Sequence, residues 1–217
     1  MYCPLPYYHS VIDTQGRYNV CCDHQLPEGM VMDLNSHTAE EWFESDYVQQ
    51  VQTAFDQGEK HPGCNKCWSE EARGLNSYRQ RVENEYWHVK EDRKLVAVEI
   101  QAGNLCNLSC MMCSPHSSSR VLEETIQVTG IDIDKKQYST SGQVWDNLFN
   151  AVQETDLRVL RIRGGEPLYN KRLLEFMNQI PDAQAKKMLV HVVTNGTVFN
   201  KQWQETLKRF RIVQYML

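Results

Sequence analysis

The sequence predicts an α/β fold: a parallel (βα) partial barrel, incomplete, preceded by a small cysteine-rich α+β region. Two observations predict it. From Leu95 onward, short runs rich in Val, Ile and Leu alternate with helical patterns, and strands that alternate with helices pair in parallel. Four such runs occur: LVAVEIQ, LRVLRIRG, MLVHVVT and RIVQYML. The cysteines also divide. Cys3, Cys21, Cys22, Cys64 and Cys67 precede this pattern, Cys106, Cys110 and Cys113 follow its first strand, and none comes later. The expected regions are therefore 1–92 and 93–217.

In the first region, SVIDTQGRYNV reads as two short strands about a turn at residues 13–16. A helix is expected over 38–56. Thr38 and Glu41 make a capping-box pair, and Trp42, Phe43, Tyr47, Val48, Val51 and Phe55 form one apolar side. Gly58 and Pro62 stop it. These aromatics read as core. A second helix is expected over 69–88, with Gly74 as its weak point. The Glu70, Glu71, Ser77 and Arg79 group reads as a solvated helix face.

In the second region, the strand LVAVEIQ leads into the cysteine loop and a helix near 118–128. GIDIDKKQYSTSG is a polar loop. QVWDNLFNAVQET places Val144, Leu148 and Val152 on one helical face. The strand LRVLRIRG, the helix NKRLLEFMNQIP stopped by Pro181, the strand MLVHVVT, the helix NKQWQETLKRF and the strand RIVQYML follow. The fourth strand is still apolar where the sequence ends. An unfinished sheet is expected, from a truncated chain, a gene fragment or a fold completed by another chain. Its apolar edge would invite association, and little activity is expected of the chain alone.

Composition narrows the function classes. The 217 residues are 24% charged and 41% hydrophobic, an ordinary globular balance. The net charge of −5 carries no run of five or six like charges and no clustered basic face, which argues against a nucleic-acid partner. MYCPLPYYHS lacks the basic and apolar segments of a signal peptide. No apolar run approaches the ~20 residues of a membrane span. A soluble, cytoplasmic protein is expected. In a reducing cytosol, cysteines in these numbers point to metal or cluster ligation rather than disulfides.

The chemistry concentrates in three motifs. CNLSCMMC spaces its thiols as Cys106-x3-Cys110-x2-Cys113. A short loop of this kind can place three thiolates on three corners of an iron–sulfur cube. The fourth iron then stays open to a small molecule, as catalytic metal sites require. A zinc knuckle is the competing reading. RIRGGEP follows the second strand. Gly164 and Gly165 permit close backbone approach, Glu166 offers a carboxylate to an ammonium group, and Pro167 fixes the exit from the turn. Thr194, Asn195 and Gly196 follow the third strand. Ligands in parallel α/β sheets bind at the carboxyl ends of strands, so all three motifs face one rim.

CNLSCMMC, RGGEP and TNG together resemble the radical S-adenosylmethionine (SAM) superfamily, over residues 95–217. The resemblance implies a radical SAM-type partial barrel. It implies that Cys106, Cys110 and Cys113 ligate a [4Fe–4S] cluster whose open iron chelates SAM. Gly164, Gly165 and Glu166 would hold the SAM amino group, Thr194 and Asn195 would line its pocket, and Met112 would lie near the adenine. The implied reaction is reductive cleavage of SAM and hydrogen abstraction from a substrate, with an electron donor such as flavodoxin or ferredoxin.

The first region has its own pattern: Cys3-x12-Gly16-x4-Cys21, then Cys64-x2-Cys67. Two sulfurs flanking a hairpin and two from a knuckle suffice for a closed four-ligand site, and a structural zinc is one reading. The spacing also resembles the start of the SPASM and twitch auxiliary-cluster domains. That resemblance implies one auxiliary [4Fe–4S] cluster on Cys3, Cys21, Cys64 and Cys67, with the Gly16-x4 spacing favouring Cys21 over Cys22. It further implies a peptide or protein substrate, with a small metabolite or sugar, or a zinc-stabilised binding module, as alternatives. The seven histidines show no HxxxH or HxH pairing and read as surface or core residues.

Overall fold

The computed structural model describes residues 2–82, 93–131 and 133–216. Its centre is one six-stranded sheet. In chain order the strands are β1 (His9–Ile12), β2 (Tyr18–Asn19), β3 (Ala97–Gln101), β4 (Val159–Arg163), β5 (Leu189–Val193) and β6 (Ile212–Met216), and their spatial order is β2-β1-β3-β4-β5-β6. β1 and β2 form an antiparallel hairpin; every other pairing is parallel. The expected hairpin is present, but β1 also pairs along its length with β3. The sheet therefore crosses the expected boundary at 92/93, and five parallel strands stand where the sequence suggested four. HSVI is buried at all four positions. Strands covered on both faces read as continuous apolar or small-residue runs and belong inside parallel sheets.

β3, β4 and β5 are each buried at four of five positions. Helices cover one face. α7 (Gly142–Glu154) buries Val144, Trp145, Leu148, Ala151 and Val152. α8 (Lys171–Gln179) buries Leu173, Phe176 and Met177, the short α9 (Asp182–Ala185) buries Ala185, and α10 (Lys201–Leu207) buries Trp203 and Leu207. Trp145 and Phe176 meet with ring centroids 5.7 Å apart. The hairpin turn packs here too: Gly16, with φ of 81°, brings its Cα against Val144, and Asn147 Nδ2 donates to the Leu34 carbonyl at 3.0 Å. The opposite face is polar. Glu99, Arg161 and His191 lie in adjacent register and are buried. Arg163 Nε stands 2.6 Å from Glu99, and Arg161 donates to the Tyr78 hydroxyl at 2.7 Å.

A one-turn helix, α1 (Leu5–Tyr8), precedes β1, and the helix expected over 38–56 is two helices, α2 (Ala39–Phe43) and α3 (Asp46–Asp56). The Thr38–Glu41 capping box starts α2. Ser45 caps α3 by accepting from Val48, and that competing cap breaks the expected single helix. The helix expected over 69–88 starts earlier, as α4 (Asn65–Ala72), and breaks at Gly74 with φ of 73° before α5 (Tyr78–Val82). Its remaining expected length, 83–88, lies outside the described residues, as does Leu217 at the end of RIVQYML. This turn folds α5 back on α4. Ser77 and Arg79 both donate to the Glu71 carboxylate, at 2.6 and 2.5 Å, and Ser77 is fully buried. The expected solvated face is thus a part-buried polar cluster, because the reversal at Gly74 brings residues six and eight apart into contact.

Candidate active site

Three loops leave the carboxyl ends of β3, β4 and β5 and are tied to one another there. Gly165 and Glu166 donate their backbone N–H groups to the carbonyls of Gly103 and Leu105, both at 2.8 Å. Asn170 Nδ2 donates to the Ala102 carbonyl at 2.8 Å. A Cβ on Gly164, whose φ is 148°, would stand 2.5 Å from the Gly103 oxygen. A Cβ on Gly165 would collide with the Asn104 and Leu105 carbonyls. Gly-Gly is therefore required at this crossing, since only a residue without a side chain permits such backbone approach.

Glu166 is the fastener between the second and third loops. It is 1% exposed. Its Oε1 accepts from Leu168 N at 2.9 Å and from the Thr194 hydroxyl at 2.7 Å, while Oε2 accepts from Asn195 N at 2.6 Å. Pro167 is buried and opens a single 3-10 turn after Glu166. Asn195 Nδ2 in turn donates to Asn107 Oδ1 at 3.0 Å and stands 3.9 Å from Cys106 Sγ. Asn107 Nδ2 donates to the Thr197 hydroxyl at 2.8 Å. The structure thus brings Cys106, Gly164, Gly165, Glu166, Thr194 and Asn195 into one connected rim.

The cysteine loop is shaped from within. Cys113 N donates to the Cys110 carbonyl at 2.9 Å. Ser118, the N-cap of α6 (Ser119–Thr129), donates to the Leu108 carbonyl at 2.6 Å, and Cys106 N donates to the Ser119 hydroxyl at 3.2 Å. Cys106 is buried; Cys110 and Cys113 are partly exposed. Burial, followed by the nearby charges of Cys110 and Cys106, pushes the Cys113 thiol up from its ordinary range. Met112 stands at the loop tip and is 88% exposed, so its side chain reaches outward from the rim.

Four of the other five thiols meet within the first region. Cys3, Cys21, Cys64 and Cys67 line one gap with Leu5, His24 and Phe55. Cys22 does not line it. Its titration is governed by burial and then by Glu99 and Arg163, which places it toward the polar face of the sheet. Burial pushes Cys3 and Cys64 each up to about 12, with neighbouring thiols adding to the effect. Cys21 is pushed up well above its ordinary value, again by burial first. Thiols so placed hold their protons until a metal displaces them. All eight cysteines are free.

A neighbouring group carries no sequence signature. His24 Nδ1 lies 3.5 Å from Cys64 Sγ, and His61 stacks on His24 with centroids 5.5 Å apart. Among the described residues, His24, His61 and Cys64 are the one set of three His, Cys, Asp or Glu donors lying within 4.8 Å of one another. The histidines are 37 positions apart, so no short spacing announces them. Among the described residues, no three of the four thiols make such a set. A tetrahedral zinc with bonds of ~2.3 Å would hold its sulfurs about 3.8 Å apart.

Two curated relatives match the chain. One is the radical SAM cyclopropyl synthase TigE of Paramaledivibacter caminithermalis, 22% identical over 148 residues, 64% of this chain and 30% of that protein. The other is a GTP 3′,8-cyclase of Psychromonas ingrahamii, 29% identical over 125 residues, 56% of this chain and 30% of that protein. The matches span about 30% of the length of each relative. Neither a protein-family model nor a solved structure matches. The two matches support the radical SAM superfamily for this chain. Among the described residues, no helix is long and apolar enough to cross a membrane.

Proposed function

We propose that this chain binds a [4Fe–4S] cluster through Cys106, Cys110 and Cys113, presents the cluster's open iron to SAM, and serves a radical SAM enzyme. One observation carries the reading: the cysteine loop, Gly164–Gly165–Glu166 and Thr194–Asn195 are hydrogen-bonded into a single rim at the carboxyl ends of three adjacent parallel strands. The donor set fits, since a short loop offering three soft thiolates leaves one corner of a cube free. When bound, the cluster and SAM supply reductive cleavage of SAM and a 5′-deoxyadenosyl radical that abstracts hydrogen from the substrate.

The chain's own residues position that chemistry. Gly164 and Gly165 admit SAM to the backbone and offer carbonyl acceptors to its amino group. Glu166 is buried on three donors, so its part is to hold the second and third loops in register. Asn195, fixed by Glu166 on its N–H and by Asn107 on its side chain, lines the pocket beside Cys106.

Cys3, Cys21, Cys64 and Cys67 are proposed to hold an auxiliary [4Fe–4S] cluster within an element spanning 1–92, beside a radical SAM core over 93–217. Four soft thiolate donors lining one gap are the set that a [4Fe–4S] cluster takes. The twitch-like spacing favours a peptide or protein substrate. A small-molecule substrate is the second reading, favoured by the match to a GTP cyclase. Eight free thiols fit a reducing cytoplasm with a flavodoxin or ferredoxin as electron donor.

Anaerobic reconstitution with iron and sulfide tests the reading. A brown protein with about eight irons per chain is expected, as two four-iron clusters require. Reduction in the presence of SAM should then yield methionine and 5′-deoxyadenosine. Cys110→Ala should lose about half the iron and all cleavage; Cys64→Ala should lose the other half. A colourless protein holding zinc overturns the reading. Stimulation of cleavage by peptides or by nucleotides separates the two substrate classes.

A further inference from the structure

His24 enters the four-thiol site from the side, on an anchored backbone. Its N–H donates to the Cys21 carbonyl at 3.2 Å, and its carbonyl accepts from Asn19 Nδ2 at 2.9 Å. The next residue, Gln25, donates to the Gly63 carbonyl at 2.9 Å, which draws Cys64 alongside. The ring is 5% exposed and is clamped on several sides. His61 stacks on it at an interplanar angle of 21°, and Tyr47 meets it edge-on at 5.7 Å. Gly63 has no room for a side chain, because a Cβ there would collide with the His24 ring.

Both ring nitrogens are engaged. Nε2 lies 2.7 Å from the Tyr47 hydroxyl and Nδ1 lies 3.5 Å from Cys64 Sγ. A thiolate bound to iron can only accept a hydrogen bond. Nδ1 must then carry the proton, leaving Nε2 with its lone pair to accept from the Tyr47 O–H. A directed chain results, Tyr47 O–H to Nε2 and Nδ1–H to the Cys64 sulfur. Hydrogen bonds to cluster sulfurs stabilise the added negative charge of the reduced state and raise the reduction potential.

We propose that His24 is a positioning residue that donates a hydrogen bond to the Cys64 sulfur and raises the reduction potential of the auxiliary cluster. The proposal rests on the reading of the four thiols as a cluster site. It explains why a buried histidine, a tyrosine hydroxyl and an obligatory glycine converge on one cysteine.

The test uses the full chain carrying Cys110→Ala, so that the auxiliary cluster alone is observed, reconstituted with iron and sulfide and titrated with reductant under EPR. His24→Phe keeps the ring but removes the donor; it should shift the midpoint potential to more negative values with about four irons retained. His24→Gln, whose amide N–H can donate to the sulfur, should recover part of the shift. Tyr47→Phe should give a smaller shift of the same sign. An unchanged potential in His24→Phe with iron retained overturns the proposal and leaves the auxiliary cluster standing. Where His24→Phe loses its iron, Tyr47→Phe decides: a negative shift supports the proposal and an unchanged potential overturns it. A parent that takes up zinc and no iron overturns both the proposal and the reading beneath it.

Discussion

Replacing Glu166 with Gln changes one atom and tests the rim. The carboxylate accepts three hydrogen bonds in a nearly sealed position, from Leu168 N, the Thr194 hydroxyl and Asn195 N. An amide offers one oxygen and one NH₂ group. Either orientation sets that NH₂ against a backbone N–H, of Asn195 or of Leu168. The substitution therefore loses one charge-assisted bond, worth about 1.5–3 kcal/mol, and leaves a backbone donor unsatisfied at about 1–3 kcal/mol. A loss of about 3–5 kcal/mol is expected, or roughly 10 °C in Tm for a chain of this size. Chemical denaturation of the metal-free protein, followed by tryptophan fluorescence, measures it. Trp203 is well placed as the reporter, since its Nε1 donates to the Leu168 carbonyl at 2.6 Å. Thr194→Val should couple to Glu166→Gln in a double-mutant cycle, because the two side chains share a bond. Stability within about 0.5 kcal/mol of the parent, the range of an ordinary surface change, would refute the reasoning that Glu166 fastens the loops.

Other perturbations probe the same architecture. Gly165→Ala sets a methyl group against the Asn104 and Leu105 carbonyls. It should cost about 1–3 kcal/mol, the usual range for overpacking, and should lower the iron held by Cys106, Cys110 and Cys113, read by iron assay after reconstitution. Cys21→Ser should remove the auxiliary iron whereas Cys22→Ser should spare it, since Cys21 lines the four-thiol gap and Cys22 does not; equal iron loss in both would contradict the placement. His9 gives a pH dependence. Burial holds its pKa down at about 3, and its Nδ1 donates to the Val20 carbonyl at 3.1 Å. The unfolded chain binds a proton near pH 6.5 that the folded chain refuses, so this contribution to stability is full above about 6.5 and is lost as pH falls toward 3. The loss amounts to roughly 4–5 kcal/mol. Denaturation midpoints at pH 7 and pH 4 should show less acid sensitivity in His9→Asn than in the parent.

Much of the second region was legible in the sequence. Its four strands and its principal helices fall within a few residues of their expected places, because each carries an apolar period and a local cap, such as Ser118 before α6 or Asn200 before α10. The candidate rim was legible for a topological reason: parallel strands end on one side, so motifs following successive strands must gather there. The fate of Glu166 was not. Its short-range sequence allowed an open carboxylate, and only the fold turns it inward onto Thr194 and Asn195.

The first region shows the converse. HSVI looked like half of a hairpin because its turn is local, whereas its parallel pairing with β3 joins residues 88 positions apart. The reversal at Gly74 and the Ser77–Glu71–Arg79 cluster likewise depend on how two helices meet. By itself the sequence determined what is local or periodic: the βα alternation, the capping box at Thr38, the thiol spacings and the Gly-Gly turn. The tertiary structure alone decided that one sheet spans both regions and that His24 meets Cys64. Each of those is a contact between segments far apart in the chain, fixed by packing and burial rather than by any pattern a short stretch can carry.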